Sequence, residues 1–302
     1  MASRPHLRTT VYIPNRRKRP ISYGGRRPMT IGIGALCERK GCIVIASDMR
    51  LSFEGHPISP NEWVGKVFDL PLGLYASIAG TYSDCESIIS EIAARLADLE
   101  VEQAGKEIYV EHVIQKVMKS QLHILEILCQ AKFQNILLLT PERWRKGPLD
   151  ARLYRGGKAL IRATDIEADL LIAGFLNSGP IILRIIGKRK PDEEINYAAI
   201  GTGLEYAYDD LSKRGQGPWC NLARTLLHLS FAMEAARQDK GVGNPNNFLV
   251  ILPQACKVFP STSHLFAKWK NKYGSDSRPM DADREAIEEM SKEFLQGPLV
   301  AP

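Results

Sequence analysis

No stretch of the chain approaches the roughly 18 consecutive apolar residues of a membrane-crossing helix, so no segment reads as a bilayer span. The first twenty residues, MASRPHLRTTVYIPNRRKRP, have no continuous apolar segment behind their basic residues and do not form a secretory signal pattern. The expected location is therefore the cytoplasm. Cysteine is sparse, at six residues in 302 with no Cys-x-x-Cys pair. Cys37 and Cys42 stand closest and straddle a predicted turn, and no histidine sits at a metal-ligand spacing near them. Free thiols in a reducing compartment follow, with no metal or other cofactor implied. Acidic residues are absent from positions 1–29, which hold eight of the Arg and Lys residues. The net charge of +6 thus belongs to that arm, and the rest of the chain carries −2. An arm of this kind is read as a disordered or removable leader; nucleic acid is an unfavoured partner, because no aromatic stacking pattern accompanies the charge.

Familiar catalytic signatures are missing as well. There is no G-x-x-x-x-G-K-[ST], no H-E-x-x-H and no G-x-S-x-G. Gly32-x-Gly34 has Cys37 where a dinucleotide fingerprint needs its third glycine, and it lies within a strand-like run. The histidines are scattered, so the chemistry is not expected to use one as its base.

What is present is ordinary globular composition, 44% hydrophobic and 25% charged. Residues 30–38 and 41–49 read as a β-hairpin, and KVFDL and LYASIAG as a second pair across Pro71-Leu72-Gly73. A helix follows, with Ser83 and Glu86 at capping-box spacing and Ile88, Ile89, Ile92, Leu96 and Leu99 on one face. A second long helix is expected after Gly105. DLLIAGF and PIILRII read as strands around Asn177-Ser178-Gly179, and helices near 204–213 and 221–237 lead into the strand NFLVILP. Sheets with long amphipathic helices segregated between them predict an α+β layered fold.

One hydrolytic chemistry needs no histidine. A threonine at a chain's amino terminus carries its own base, an α-amino group with a pKa of about 8. Its methyl group restricts χ1 and aims the hydroxyl. Such a site also needs a cation to tune the nucleophile, a carboxylate to orient that cation, and a backbone N–H for the developing oxyanion. Thr30, Lys66, Asp48 and Gly80 supply those four parts.

In their order, TIGIGALCERKGCIVIASDMR, GKVFDL and YASIAGTYSDCESIISEIAARL resemble the amino-terminal half of a proteasome β-type subunit, including the ancestral bacterial kind. The resemblance extends through AAIGTGLEYAYDDL and, more weakly, ARQDKGVGNPNNFLVI, covering about residues 30–253. It implies the N-terminal-nucleophile hydrolase fold, a four-layer αββα sandwich of two antiparallel sheets. Carried over by position, Thr30 is the nucleophile, Lys66 the tuning ammonium, Asp48 its orienting carboxylate and Gly80 the oxyanion N–H donor. Arg50 buttresses a strand end, Thr202 matches a position commonly held by serine, and Asp239 matches a carboxylate near the nucleophile's amine. The implied activity is a threonine-type endopeptidase without a cofactor. The implied partners are peptide substrates, further copies in a ring or open ring, and an ATP-driven unfoldase. A non-catalytic ring subunit and an amidase with a compact pocket near Ile78 are the alternative readings.

Three departures stand out. The Thr30–Asp48 hairpin is two residues longer than usual in the family, an even change that should leave both side chains on one face. A Glu38-Arg39-Lys40 turn with Gly41 in a left-handed bulge would accommodate it. Lys240-Gly241-Val242-Gly243 replaces the usual serine before paired glycines. Finally, Met29 precedes Thr30: it is the true initiator, or the arm is a cleaved propeptide, or the arm stays and silences the site. The expected division is an arm over 1–29, a hydrolase-like domain over 30–255 and an extension over 256–302 with one amphipathic stretch.

Overall fold

The computed structural model describes residues 30–48, 52–53, 56–57, 66–137, 140–146, 151–239, 242 and 245–260. The first hairpin joins β1 (Ile31–Cys37) to β2 (Cys42–Asp48), with Cys37 directly opposite Cys42 and both thiols free. Its turn differs from the expected one. Gly41 stays right-handed at φ −83°, while Glu38, Arg39 and Lys40 take φ of 49°, 55° and 75°. Left-handed backbone costs such residues roughly 1–2 kcal/mol each. Docking offsets that strain. The Glu38 and Arg39 N–H groups donate to the carbonyls of Cys220 and Pro218 at 2.8 and 2.6 Å, and Leu222 N–H donates to the Glu38 carboxylate at 2.6 Å.

A short ladder of β3 (Ser52–Phe53) and β4 (His56–Pro57) follows. Next, β5 (Val67–Leu70) and β6 (Leu74–Gly80) pair across Pro71–Gly73 as the turn residues lead one to expect. Helix α1 (Tyr82–Glu102) buries the expected isoleucine and leucine stripe, but its N-cap is Thr81. Ser83 lies inside the first turn, so the Ser83–Glu86 capping box does not form. Helix α2 (Val110–Leu137) packs beside α1. Helices α3 (Pro141–Lys146) and α4 (Ala151–Ala163) were not legible in the sequence. Gly156-Gly157 lowers the helix propensity of α4 by roughly 1 kcal/mol per glycine, and tertiary contact with α2 overrides it.

The second half runs β7 (Ala168–Leu176), β8 (Gly179–Ile186), β9 (Asp192–Glu193), β10 (Tyr197–Gly201), α5 (Leu204–Lys213), α6 (Leu222–Ala236), β11 (Pro245–Leu252) and β12 (Ala255–Pro260). Two antiparallel five-stranded sheets result, in the orders β10-β1-β2-β11-β12 and β5-β6-β7-β8-β9. Strand β12 pairs along β11 from Ala255 to Pro260, so the first sheet continues past residue 255.

Side-chain alternation divides the core into three seams. Ile31, Ile33, Val44 and Phe248 cluster with Leu226, Leu229 and Met233 of α6 and with Ala207 and Leu211 of α5. Leu36, Ile43, Ile45, Leu171, Ile182 and Ile200 fill the space between the sheets. Leu74, Ala76, Ile78, Leu170 and Ile172 face α1 and α2. Strands buried on both sides explain why β1 and β2 read as unbroken apolar runs. The fold is the expected α+β sandwich, with helices outside each sheet.

A small polar network sits beside the α6 seam. His228 is fully buried, with Nδ1 2.9 Å from the Gln216 Oε1. Gln216 in turn donates to the Leu36 carbonyl at 3.2 Å and to the Thr225 hydroxyl at 3.2 Å. Burial, reinforced by Arg224 and Arg214, pushes the His228 pKa down to about 3. The imidazole is therefore neutral in the fold but titrates near 6.5 when unfolded. Its contribution to stability is complete above pH 6.5 and is lost as pH falls towards 3. Urea unfolding followed between pH 7 and 3.5 should show that decline, and it should be shallower in His228→Gln.

Candidate active site

Thr30 immediately precedes β1, Asp48 ends β2 and Lys66 immediately precedes β5. Two sheets therefore contribute to one cluster. Lys66 is 3% exposed and Asp48 is fully buried. The Lys66 ammonium donates to the Thr30 hydroxyl at 2.5 Å and to Asp48 Oδ1 at 2.8 Å. The same carboxylate oxygen accepts the Ile31 N–H at 3.2 Å, which holds it against the start of β1. The Lys66 backbone is tied to the second sheet, its carbonyl accepting from Ile78 N–H at 3.2 Å.

Burial pulls the Lys66 pKa below the ordinary lysine value, and the adjoining Asp48 carboxylate opposes that shift. The cation is thus paired yet easier to deprotonate than a solvated lysine. Cys85, at the start of α1, also lies within electrostatic reach of Lys66. Burial and the carboxylates of Asp169 and Asp84 push its thiol up to about 12, so it is a neutral neighbour. Its proximity was not visible in the sequence, because helix-face periodicity marks Cys85 only as core.

Strand alternation does not place Thr30 and Asp48 as expected. Gly32 pairs with Ser47, so the next step sets Asp48 across from Ile31, one residue out of phase with Thr30. The two side chains converge because Asp48 ends its strand and Lys66 bridges them. The same end of β1 is held on its other side by a glycine, Gly201 of β10, which pairs with Ile31. Gly201 adopts φ +90°, and a Cβ there would lie 2.0 Å from the Thr30 carbonyl oxygen and 3.2 Å from Ala79 Cβ. That close approach lets Thr202 N–H donate to the Thr30 carbonyl at 3.1 Å. The Thr202 hydroxyl is buried and has no partner among the described residues.

Gly80 ends β6 at φ +134°, just before α1, and a Cβ there would lie 2.3 Å from the Glu167 carbonyl oxygen. Asp239 lies half-buried beyond α6, and among the described residues no hydrogen bond joins its carboxylate to Thr30. Arg50 and Lys240–Gly241 lie outside the described residues. Ile78 does not line a pocket: its side chain packs into the α1–α2 seam and is 3% exposed. Among the described residues, no group of three or more His, Cys, Asp or Glu side chains is placed to hold a metal ion. No helix among them is long and apolar enough to cross a membrane.

Residues 35–134 match the family model for proteasome subunits, a segment that includes Asp48, Lys66 and Gly80 and begins just after Thr30. Over that segment, about a third of its length, the chain is similar to proteasome subunits. A comparison with curated proteins finds no match. The matched segment runs from the last residues of β1 through β2, the β5–β6 pair, α1 and most of α2, and so contains two of the three residues that meet at the Lys66 ammonium.

Gly201→Ala tests the packing around Thr30. The added methyl meets the Thr30 carbonyl at an unfavourable φ, so a loss of roughly 1–3 kcal/mol in unfolding free energy is expected. Gly215→Ala, at φ +66° with no atom within 4 Å of the added Cβ, is the control for backbone strain alone. Equal losses in the two variants would show that the close approach to Thr30 contributes nothing.

Proposed function

We propose that the chain is a threonine-type endopeptidase subunit of a proteasome-like assembly, with Thr30 as nucleophile once its amino group is exposed. The observation that supports this most directly is the single buried ammonium shared by the Thr30 hydroxyl and the Asp48 carboxylate. A lysine so placed stabilises negative charge developing on the Thr30 Oγ1, and Asp48 keeps it protonated and aimed.

In the proposed reaction the Thr30 α-amine takes the hydroxyl proton as Oγ1 attacks the peptide carbonyl carbon. A C–O bond forms and the carbonyl electron pair moves onto oxygen. Gly80 N–H, beside the α1 N-terminus, is proposed to donate to that oxyanion. As the tetrahedral species collapses, the C–N bond breaks and the leaving amine takes the proton from the α-ammonium. The resulting ester is attacked by water, whose proton passes to the same amine, and the free threonine returns as the acid product departs. Thr202 and Asp239 are proposed to organise this end of β1 rather than to react, and Arg50 is kept as a strand-end support.

Proteasome subunits generally assemble into rings, and a ring or open ring of copies is the proposed setting, with peptides as substrates and an unfoldase as feeder. Residues 1–29 then decide activity. While they are attached, the Thr30 nitrogen is an amide without a usable lone pair. Loss of a positioned base forfeits about 10²–10⁴ in rate.

Protein that starts at Met29 should lose that residue on expression, shown by intact mass, and cleave members of a fluorogenic peptide panel. Full-length chain that stays unprocessed should be folded and inert. Thr30→Ala in the processed protein should abolish turnover while the protein stays folded, with the unfolding midpoint modestly lowered because the buried Lys66 ammonium loses an acceptor, and Lys66→Ala should be almost as damaging to rate. Equal turnover by an unprocessed chain would rule out an N-terminal nucleophile. An inert but correctly processed protein would favour a purely structural subunit.

The lowered Lys66 pKa makes a separate expectation. Asp48→Asn removes the charge that raises it, so the alkaline limb of the pH–rate profile should move to lower pH. A limb that stays in place would exclude control by this pair.

A further inference from the structure

Helix α4 presents a cationic face that the proposed reaction does not use. Arg152, Arg155, Lys158 and Arg162 are all exposed, and the helix contains no acidic residue. Its inner edge, where Gly157 is buried, lies against α2. Tyr154 and Ile161 remain 46% and 39% exposed beside the cations. Among the described residues, Arg155 and Lys158 have local partners, the Ala151 carbonyl at 3.1 Å and the Tyr154 ring at 4.6 Å. Lys188 adds a further cation at the helix C-terminus, donating to the carbonyls of Arg162 and Thr164 at 3.2 and 2.7 Å. Among the described residues, no ion pair engages Arg155, Lys158 or Arg162. A positive face with exposed apolar side chains set among its charges suits an acidic amphipathic segment.

The chain contains such a segment. DADREAIEEMSKEFL, residues 281–295, has six acidic and two basic residues, a net of −4 against the +4 of α4. Ala286, Ile287, Met290 and Phe294 recur at helical spacing within it. The last described residue is Pro260, and the intervening chain of about 20 residues reaches up to about 70 Å when extended. A domain of this size is roughly 45 Å across, so the tether spans from β12 to any face. Tethering also raises the effective concentration of the segment to about the millimolar range.

We propose that residues 281–295 dock in cis on the exposed face of α4. Their carboxylates meet Arg155, Lys158 and Arg162, and their apolar stripe covers Tyr154 and Ile161. The inference rests on charge, exposure and reach, and is independent of whether Thr30 reacts.

Zero-length carbodiimide coupling of the full-length protein, read by peptide mass spectrometry, tests the contact. An amide between Lys158 and Glu285, Glu288, Glu289 or Glu293 is expected at low salt, with at least a tenfold loss at about 0.5 M salt, where screening is short-ranged. Arg155→Glu with Arg162→Glu leaves Lys158 in place and should lower the link to the high-salt level. Adding Glu288→Arg with Glu289→Arg should restore coupling of Lys158 to Glu285 or Glu293, an outcome that misfolding of the first variant would not produce. Mixing 15N-labelled and unlabelled copies should give links only within one isotope. Mixed-isotope links would overturn docking in cis. Low-salt coupling no greater than at high salt would overturn the contact itself.

Discussion

A buried ammonium must be given partners, and that requirement organises the candidate site. Lys66 enters from the second sheet, while its acceptors, Thr30 and Asp48, come from opposite ends of one hairpin in the first. Desolvating the cation disfavours its charged form, and a carboxylate at 2.8 Å is what retains it. Removing either partner would leave an uncompensated charge or an unpaired polar group between packed sheets. The two sheets are therefore fixed relative to one another at this end by electrostatics as well as by apolar packing.

The backbone is shaped to permit that convergence. Gly201 brings β10 against the Thr30 carbonyl, and Gly80 brings β6 against the start of β7. Neither place has room for a side chain. At the far end of β1 the sandwich is closed differently, by a three-residue left-handed turn anchored on the loop before α6. Between those ends, the three apolar seams leave few degrees of freedom in strand position. A site held within hydrogen-bonding distances across two sheets needs such a rigid support.

The proteasome-subunit match covers the part of the chain that holds Asp48 and Lys66, and the geometry brings those two side chains to Thr30. The match begins after Thr30, so the place of that threonine rests on the structure. The hydroxyl contacts the ammonium. That contact makes exposure of the Thr30 amino group, rather than assembly of the side chains, the step on which the proposed activity turns. The cationic α4 face belongs to the outer helical layer beside α2, and its proposed role concerns how the chain is covered rather than how it reacts.

Strands, turns and amphipathic helices were legible where period and punctuation agree, as in β1, β2, β5–β6, α1, α2 and the β7–β8 hairpin. Residue types at the site were legible too, because a lysine, a carboxylate, a hydroxyl and a glycine suffice to name a chemistry. Other features depended on contacts between distant residues. The left-handed strain fell on Glu38, Arg39 and Lys40 because residues 218–222 supply partners for Glu38 and Arg39. Helix α4 forms around two glycines because α2 packs on it. Ile78 belongs to the core because α1 covers that face of β6. Strand alternation sets Asp48 out of phase with Thr30, and only Lys66, arriving from the other sheet, draws them together. The sequence by itself determined the local elements and the chemical kinds of group available. Tertiary packing decided which groups meet, because the burial and charge pairing that fix those meetings act between segments far apart in the chain.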